Sequence, residues 1–236
     1  HVQTLWWKFS TTQARAEMQT PVEAKLWQLM IHTQDKGIKT SFFKAFLNVA
    51  TTPDGLDKLE RLWNEQLKVE NLILSEDDKI ALAYELGLKG KRSDILSQQL
   101  EQTKNPDRKS KMKFVIPAIS DDVQVRDAFF ESLKKKANRS KESWVQESLS
   151  YLHHPLRQKE ALKYLEPSLA LLQEIQLTGD IFFPQRWLQQ TFAGHASAEA
   201  DQIVNWFIAG HPNYPCYLKN KILQTTDMLH RAVIKQ

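Results

Sequence analysis

Trp144-Val-Gln-Glu-Ser-Leu-Ser-Tyr-Leu-His-His-Pro155 is followed by an apolar-periodic stretch and then by Thr178-Gly-Asp-Ile-Phe-Phe-Pro-Gln-Arg-Trp187. Val145, Leu149 and Leu152 fall on one face of a helix. Pro155 has no N–H to donate and crowds the preceding turn, so it stops that helix. Leu162, Leu165, Leu169 and Leu172 continue at helical spacing on the next segment. A Gly-Asp break follows, and Pro184 sits at the start of a third helix, where a missing donor costs little. Three helices joined by short turns, each with an apolar face to bury, must pack on one another.

The same pattern extends in both directions. Toward the N-terminus, Pro21 opens a helix carrying Val22, Leu26, Leu29 and Met30, with Gly37 as its stop. Phe42, Phe43, Phe46, Leu47 and Val49 form the next. Thr52-Pro53-Asp54-Gly55 reads as a turn before a helix with Leu56, Leu59, Leu62 and Trp63. Ser75 with Glu76, Asp77 and Asp78 is a helix start: a capping hydroxyl, and acids where the helix dipole favours negative charge. Ser93-Asp94 starts another with Ile95, Leu96 and Leu100. Asn105-Pro106-Asp107 opens one running to Ile116 and stopped near Pro117. Ser120-Asp121-Asp122 caps the next, with Val125, Ala128, Phe129 and Leu133 inside.

Toward the C-terminus, Ser197 starts a helix with Ile203, Trp206 and Phe207, ended by Gly210 and Pro212. Pro215 opens a last one through Val233. Strand signals are almost absent. Helix pairs recur at about 30 to 35 residues, the period of helical-hairpin arrays. The expected architecture is therefore all-α: an irregular α-α superhelix of HEAT/ARM-like hairpins, read as a single domain over residues 1–236. The aromatic opening Leu5-Trp6-Trp7-Lys8-Phe9 suits a strand end or a helix edge that docks on a neighbour. Residues 1–19 are expected to be a linker or docking segment to an upstream domain, because His1-Val-Gln-Thr reads as the middle of a longer polypeptide.

Bulk composition narrows the class of protein. The chain has 236 residues, 42% hydrophobic and 25% charged, which suits a folded core. Cys216 is the one cysteine, which excludes an internal disulfide framework and a Cys-based zinc cluster. It lies near a helix start, where a thiolate gains stability, but a small packed residue is the preferred reading. No run reaches the length of a membrane span. The net charge of +4 is concentrated in Arg108-Lys109-Ser-Lys111-Met-Lys113 and in Lys134-Lys135-Lys136 with Arg139 and Lys141. Both clusters flank predicted turns, and neither is interleaved with aromatics as a single-strand platform would be. No nucleic-acid partner is expected.

No catalytic constellation is visible. None of the seven histidines is followed by Glu, so the helical zinc motif is missing. His153 and His154 are adjacent and point about 100° apart on a helix, a poor geometry for one ion. They are read as favourable groups at a helix C-terminus. His195, His211 and His230 lie far apart, near predicted helix ends. There is no G-x-S-x-G elbow, phosphate loop or dinucleotide fingerprint. The pairs Trp6-Trp7, Phe42-Phe43, Phe129-Phe130 and Phe182-Phe183 are read as core packing.

An ordered series of segments goes further. Met112-Lys-Phe-Val-Ile-Pro-Ala118, Val125-Arg-Asp-Ala-Phe-Phe130 and Trp144 through Leu156-Arg157 come first. Tyr164, Pro167-Ser168, Thr178 through Pro184, Arg186-Trp187 and Asn220-Lys-Ile-Leu-Gln224 follow. Together they resemble the C-terminal helical domain of aminopeptidase N-type (membrane alanyl aminopeptidase-like) zinc metallopeptidases, bacterial branch. The resemblance is densest from about Lys111 onward and looser from Thr20 to Gly90. It implies that catalysis belongs to an upstream domain of the same polypeptide. That domain would carry H-E-x-x-H, a second Glu ligand and a G-x-M-E-N loop, none of which occurs here. Zinc there would polarise the peptide carbonyl and activate water.

This segment would then be non-catalytic, enclosing the cavity and limiting access to short peptides and chain ends. Arg126, Tyr151, Arg157 and Arg186 are the candidates for touching peptide substrate, weighed against intradomain ion pairs or packing. No catalytic or metal-binding residue is carried over. The location is left between cytoplasm and periplasm. The alternative is a free-standing helical-repeat scaffold that binds a protein or peptide in a concave groove.

Overall fold

The structure is a computed structural model that describes residues 2–90 and 94–235. His1 and the expected Ser93 cap lie outside the described residues. Among these residues there is no strand, so the all-α expectation holds. A short α1 (Val2–Thr4) runs into a π-helical turn, Leu5–Phe9. Then come α2 (Thr12–His32), α3 (Lys36–Val49), α4 (Pro53–Trp63), α5 (Glu76–Leu88), α6 (Ile95–Gln102), α7 (Pro106–Ile119) and α8 (Val123–Ser132). The chain continues through α9 (Glu142–Leu152), α10 (Gln158–Ala161), α11 (Leu165–Ala170) and α12 (Leu172–Thr178). It ends with α13 (Phe183–Ala193), α14 (Ala198–Gly210) and α15 (Cys216–Lys235). None of the described helices is long and apolar enough to cross a membrane. The described residues gather into two compact units: residues 2–6 with 10–90 and 94–116, and residues 7–9 with 117–235.

In the first unit, side-chain caps decide where helices begin. Thr11 accepts from Ala14 N, Asp35 from Ile38 N and Thr52 from Gly55 N. Each satisfies one of the four N–H groups that a helix start leaves unpaired. Ser75 and Asp78 form a reciprocal capping box, as the acidic run after Ser75 implied. The Thr52-Pro53 turn is itself the helix start, with Pro53 in the first helical position. Met30, Phe43, Phe46, Leu59, Leu82 and Leu86 fill the core of this unit.

Glu23 ties the α3–α4 connection to α2. Its carboxylate accepts from Thr51 N at 2.7 Å and Thr52 N at 3.0 Å, and also from Thr52 Oγ1 and Gln19 Nε2. Buried at 4% exposure, it replaces the water those backbone donors would otherwise need. Gly55 is required beside it, because a Cβ there would lie 2.1 Å from Glu23 Oε2.

Three boundary expectations fail in this part of the chain. Pro21 lies inside α2 rather than opening it, and Gly37 sits in the first turn of α3 rather than closing the helix before it. Pro117 lies inside α7, which runs on to Ile119. Interior prolines cost a hydrogen bond each, so packing along the rest of these helices outweighs that loss.

The second unit is built on α9 and α13. Val145, Leu149 and Leu152 meet Phe183, Trp187, Leu188 and Phe192 in its core, joined by Leu165, Leu169, Leu172 and Ile175. Trp187 is fully buried and donates Nε1–H to Ser168 O at 3.1 Å. The stretch expected as one helix across Leu162–Leu172 is instead a 3-10 turn at Leu162–Tyr164, α11 and the start of α12. Pro167 explains part of the break, since it cannot donate to the carbonyl four residues earlier. The apolar spacing still works, because Leu165, Leu169 and Leu172 remain inside.

Candidate functional site

The sequence-derived candidates all lie in the second unit and fall into two groups. Arg126 on α8 is 3% exposed. It donates to Ser120 O at 2.6 Å and Asp121 O at 3.0 Å, and pairs with Glu160. Arg157 donates to Ala118 O at 3.3 Å and to Asp121 Oδ1 at 2.9 Å. Burial, then the neighbouring Arg126 charge, pulls its pKa down. These two arginines therefore share one buried network that holds the α7–α8 turn, and their heads are committed inward.

Tyr151 is buried on α9. Arg186 differs from the other three: it is exposed, with its guanidinium 5.9 Å from the centroid of the Phe182 ring. Asp127 continues the polar seam, paired with Lys163 and accepting from Tyr164 OH. The Lys163 hydrogen bond, then that of Tyr164, lowers the Asp127 pKa. Burial, then Asp127, raises that of Tyr164.

A second polar group lies where the ends of α9 and α13 meet. His153 caps α9 and His195 follows the Gly194 cap of α13. The sequence placed His195 apart from the other histidines, but the fold sets His153 Nδ1 3.0 Å from His195 Nε2. Both rings are at or below 1% exposure. Burial, then the charge of His195, holds His153 well below the usual histidine range. Burial, then the charge of Lys8, pushes His195 down to about 3.

Both rings are therefore neutral and share one N–H. In either tautomer one outer nitrogen is a bare acceptor and the other an unpaired donor, for neither His153 Nε2 nor His195 Nδ1 has a partner. The helix-terminus reading of His153 is corrected in one respect: the ring is neutral and paired, not a cation against the carbonyls. That role falls to Lys8, which donates to Phe192 O at 2.8 Å and His195 O at 2.7 Å from 184 and 187 residues away. Burial draws its amine down to about 8. The aromatic opening is thus a helical turn whose residues 7–9 dock on the second unit, with Trp7 edge-on to His154 at 5.6 Å.

Chemically, this group is sealed. Its titratable nitrogens are closed from solvent, so no substrate reaches them, and no third metal ligand joins the two rings. Among the described residues no set of three His, Cys, Asp or Glu side chains could hold a metal ion. The resemblance places its zinc in an upstream domain, not in this chain. Cys216, expected to be packed, is exposed at the start of α15.

Open concave space lies elsewhere. A cleft of about 660 Å³ in the second unit is bordered by Lys136, Arg139, Ser140, Glu142, Thr178 and Phe183. A smaller one of about 260 Å³ in the first unit is polar, between Trp63, Glu65, Lys79 and Gln98. Phe182 and Phe183 divide roles: Phe183 is core, as expected, while Phe182 is 62% exposed. Against known proteins, no family model matches the chain. No curated protein matches its sequence either.

Proposed function

We propose that this chain is the non-catalytic helical domain of a zinc metallo-aminopeptidase, a wall of paired helices that encloses the peptide cavity and limits which substrates enter. The observation that carries the reading is the ordered series of segments from Met112 to Gln224. An all-α build is compatible with it. The superhelical order of hairpins is part of the same proposal. Hydrolysis would belong to the upstream domain, and movement of this wall against that domain would admit peptide and exclude water. Of the four substrate-contact candidates, Arg186 is the one whose cationic head is open to a peptide; Arg126 and Arg157 would shape the wall through their ion pairs.

The isolated 236-residue chain tests the division of labour. It is expected to leave alanyl- and leucyl-4-nitroanilide intact and to retain only substoichiometric zinc after dialysis against the metal. Chelator-sensitive turnover, together with one tightly held zinc per chain, would overturn the proposal.

A further inference from the structure

The 660 Å³ cleft of the second unit lies between the 3-10 turn Lys136–Arg139, the first turn of α9 and the α12–α13 turn. The segment that supplies Thr178, Gly179 and Phe183 to the lining also exposes large apolar side chains outside it. Leu177, Ile181 and Phe182 are 84%, 71% and 62% exposed, three large apolar side chains within six residues. Single exposed hydrophobes are ordinary on a folded surface, but a cluster beside a cleft marks a place of contact. Core packing does not need them, since Ile175 and Phe183 already supply the inward face. Gly179 sets the tight turn that holds the trio in place: a Cβ there would lie 2.7 Å from Phe183 Cδ1 and 3.0 Å from Ile175 O.

The other side of the cleft carries Lys136 and Arg139, of which Arg139 is paired with Glu174. Among the described residues neither Lys135 nor Lys136 has a carboxylate partner, whereas Lys134 is paired with Glu131 at 2.7 Å. Lys141 lies 5.8 Å from the centroid of the Trp144 ring. The acids nearby are already engaged. Glu142 Oε1 accepts from Asp180 N at 2.7 Å, Asp180 Oδ1 accepts from Phe182 N at 2.9 Å, and Glu174 takes Arg139. The surface therefore presents Lys136 on one rim, with Lys135 and Lys141 next to it in the chain, and exposed apolar side chains beside the other, while Glu142 and Asp180 are oriented by backbone N–H groups.

We propose that this cleft docks an extended acidic peptide segment. Its large apolar side chains would rest on Leu177, Ile181 and Phe182, and its carboxylates would face Lys135, Lys136 and Lys141. Charge complementarity selects the sign of the partner, and the exposed trio selects its apolar character. A bounded cleft of this volume accommodates a few side chains rather than a lipid surface. The inference does not depend on the aminopeptidase reading, because binding here and hydrolysis upstream are read out separately.

Fluorescence anisotropy with the intact chain provides the test. The probe is a labelled peptide alternating Glu with Leu and Phe; the comparison is the same peptide with Lys in place of Glu. The acidic peptide is expected to bind, more weakly as salt rises, and the Lys peptide to bind about tenfold less tightly or not at all. Lys136→Glu and Phe182→Ser, both at exposed positions and both expected to keep the parent melting temperature, should each weaken binding about tenfold. Lys25→Glu, on α2, should leave it as it was. Equal binding of the two peptides would overturn the proposal. So would indifference to both cleft variants, self-association through the cleft, or binding to anionic phospholipid vesicles with no affinity for the acidic peptide.

Discussion

Unfolding free energy is expected to fall steeply as pH drops from 6.5 toward 4.5, before most carboxylates titrate. The cause is the sealed pair His153–His195. Both rings have folded-state pKa values below their unfolded value, His195 at about 3 and His153 in the same direction. Across this window the unfolded chain therefore binds more protons than the folded one, and stability rises with pH and is lost as pH falls. Each fully discriminated proton contributes about 1.4 kcal/mol per pH unit, so the pair can reach a slope near 2.7 kcal/mol per unit. Urea denaturation at half-unit steps of pH measures it. His195→Gln should flatten the slope by about one proton, because the amide keeps a polar contact to His153 and does not titrate. An unchanged slope in that variant would show that the acid sensitivity arises elsewhere.

Gly194→Ala should be the most damaging single methyl addition in the second unit. A Cβ at this position would lie 1.7 Å from His153 O, 2.9 Å from His153 C and 3.0 Å from Pro155 N. All three are backbone atoms, so no rotamer change relieves the overlap. The chain at 153–155 would have to move away from the end of α13, opening the histidine pair and the carbonyls that Lys8 caps. A loss of more than about 4 kcal/mol is expected, in the range reserved for disrupted packing plus stranded polar groups. Gly210→Ala is the matched control, since nothing lies within 4 Å of its added Cβ and it ends α14. It should be neutral or stabilising by up to about 1 kcal/mol. Thermal melts compare the two; Gly194→Ala melting within about 2 °C of the parent would contradict the close approach.

What could be read from the sequence follows from how local each cause is. The helix starts at Ser75 and Ser197 each rest on a cap acting over three residues, so their signals sit together in the chain, whereas Thr52 reads as a turn in the sequence and is itself a cap. The leucines at 165, 169 and 172 were identifiable as core because helical spacing survives even when the helix is broken into short turns. Boundaries at Pro21, Gly37 and Pro117 were misread because tertiary packing overrides a local breaker. The His153–His195 contact spans 42 residues and the Lys8 cap more than 180, so nothing in local spacing announces either. Of the substrate candidates, the sequence could weigh a buried ion pair for Arg126 and Arg157 but could not locate its carboxylates. Asp121 and Glu160 became partners only once α8 packed against the 155–161 segment. Phe182 and Phe183 illustrate the same limit: neighbouring rings point to opposite sides of a helix start, and which one is inward depends on the neighbours.

Reading the full open reading frame that contains His1–Gln236 tests the proposed division of labour most directly. The account predicts, upstream in the same frame, a domain carrying H-E-x-x-H with a further Glu ligand and a G-x-M-E-N loop. A frame that opens with Met immediately before His1 and carries no such motif would contradict it, and would favour a free-standing helical scaffold.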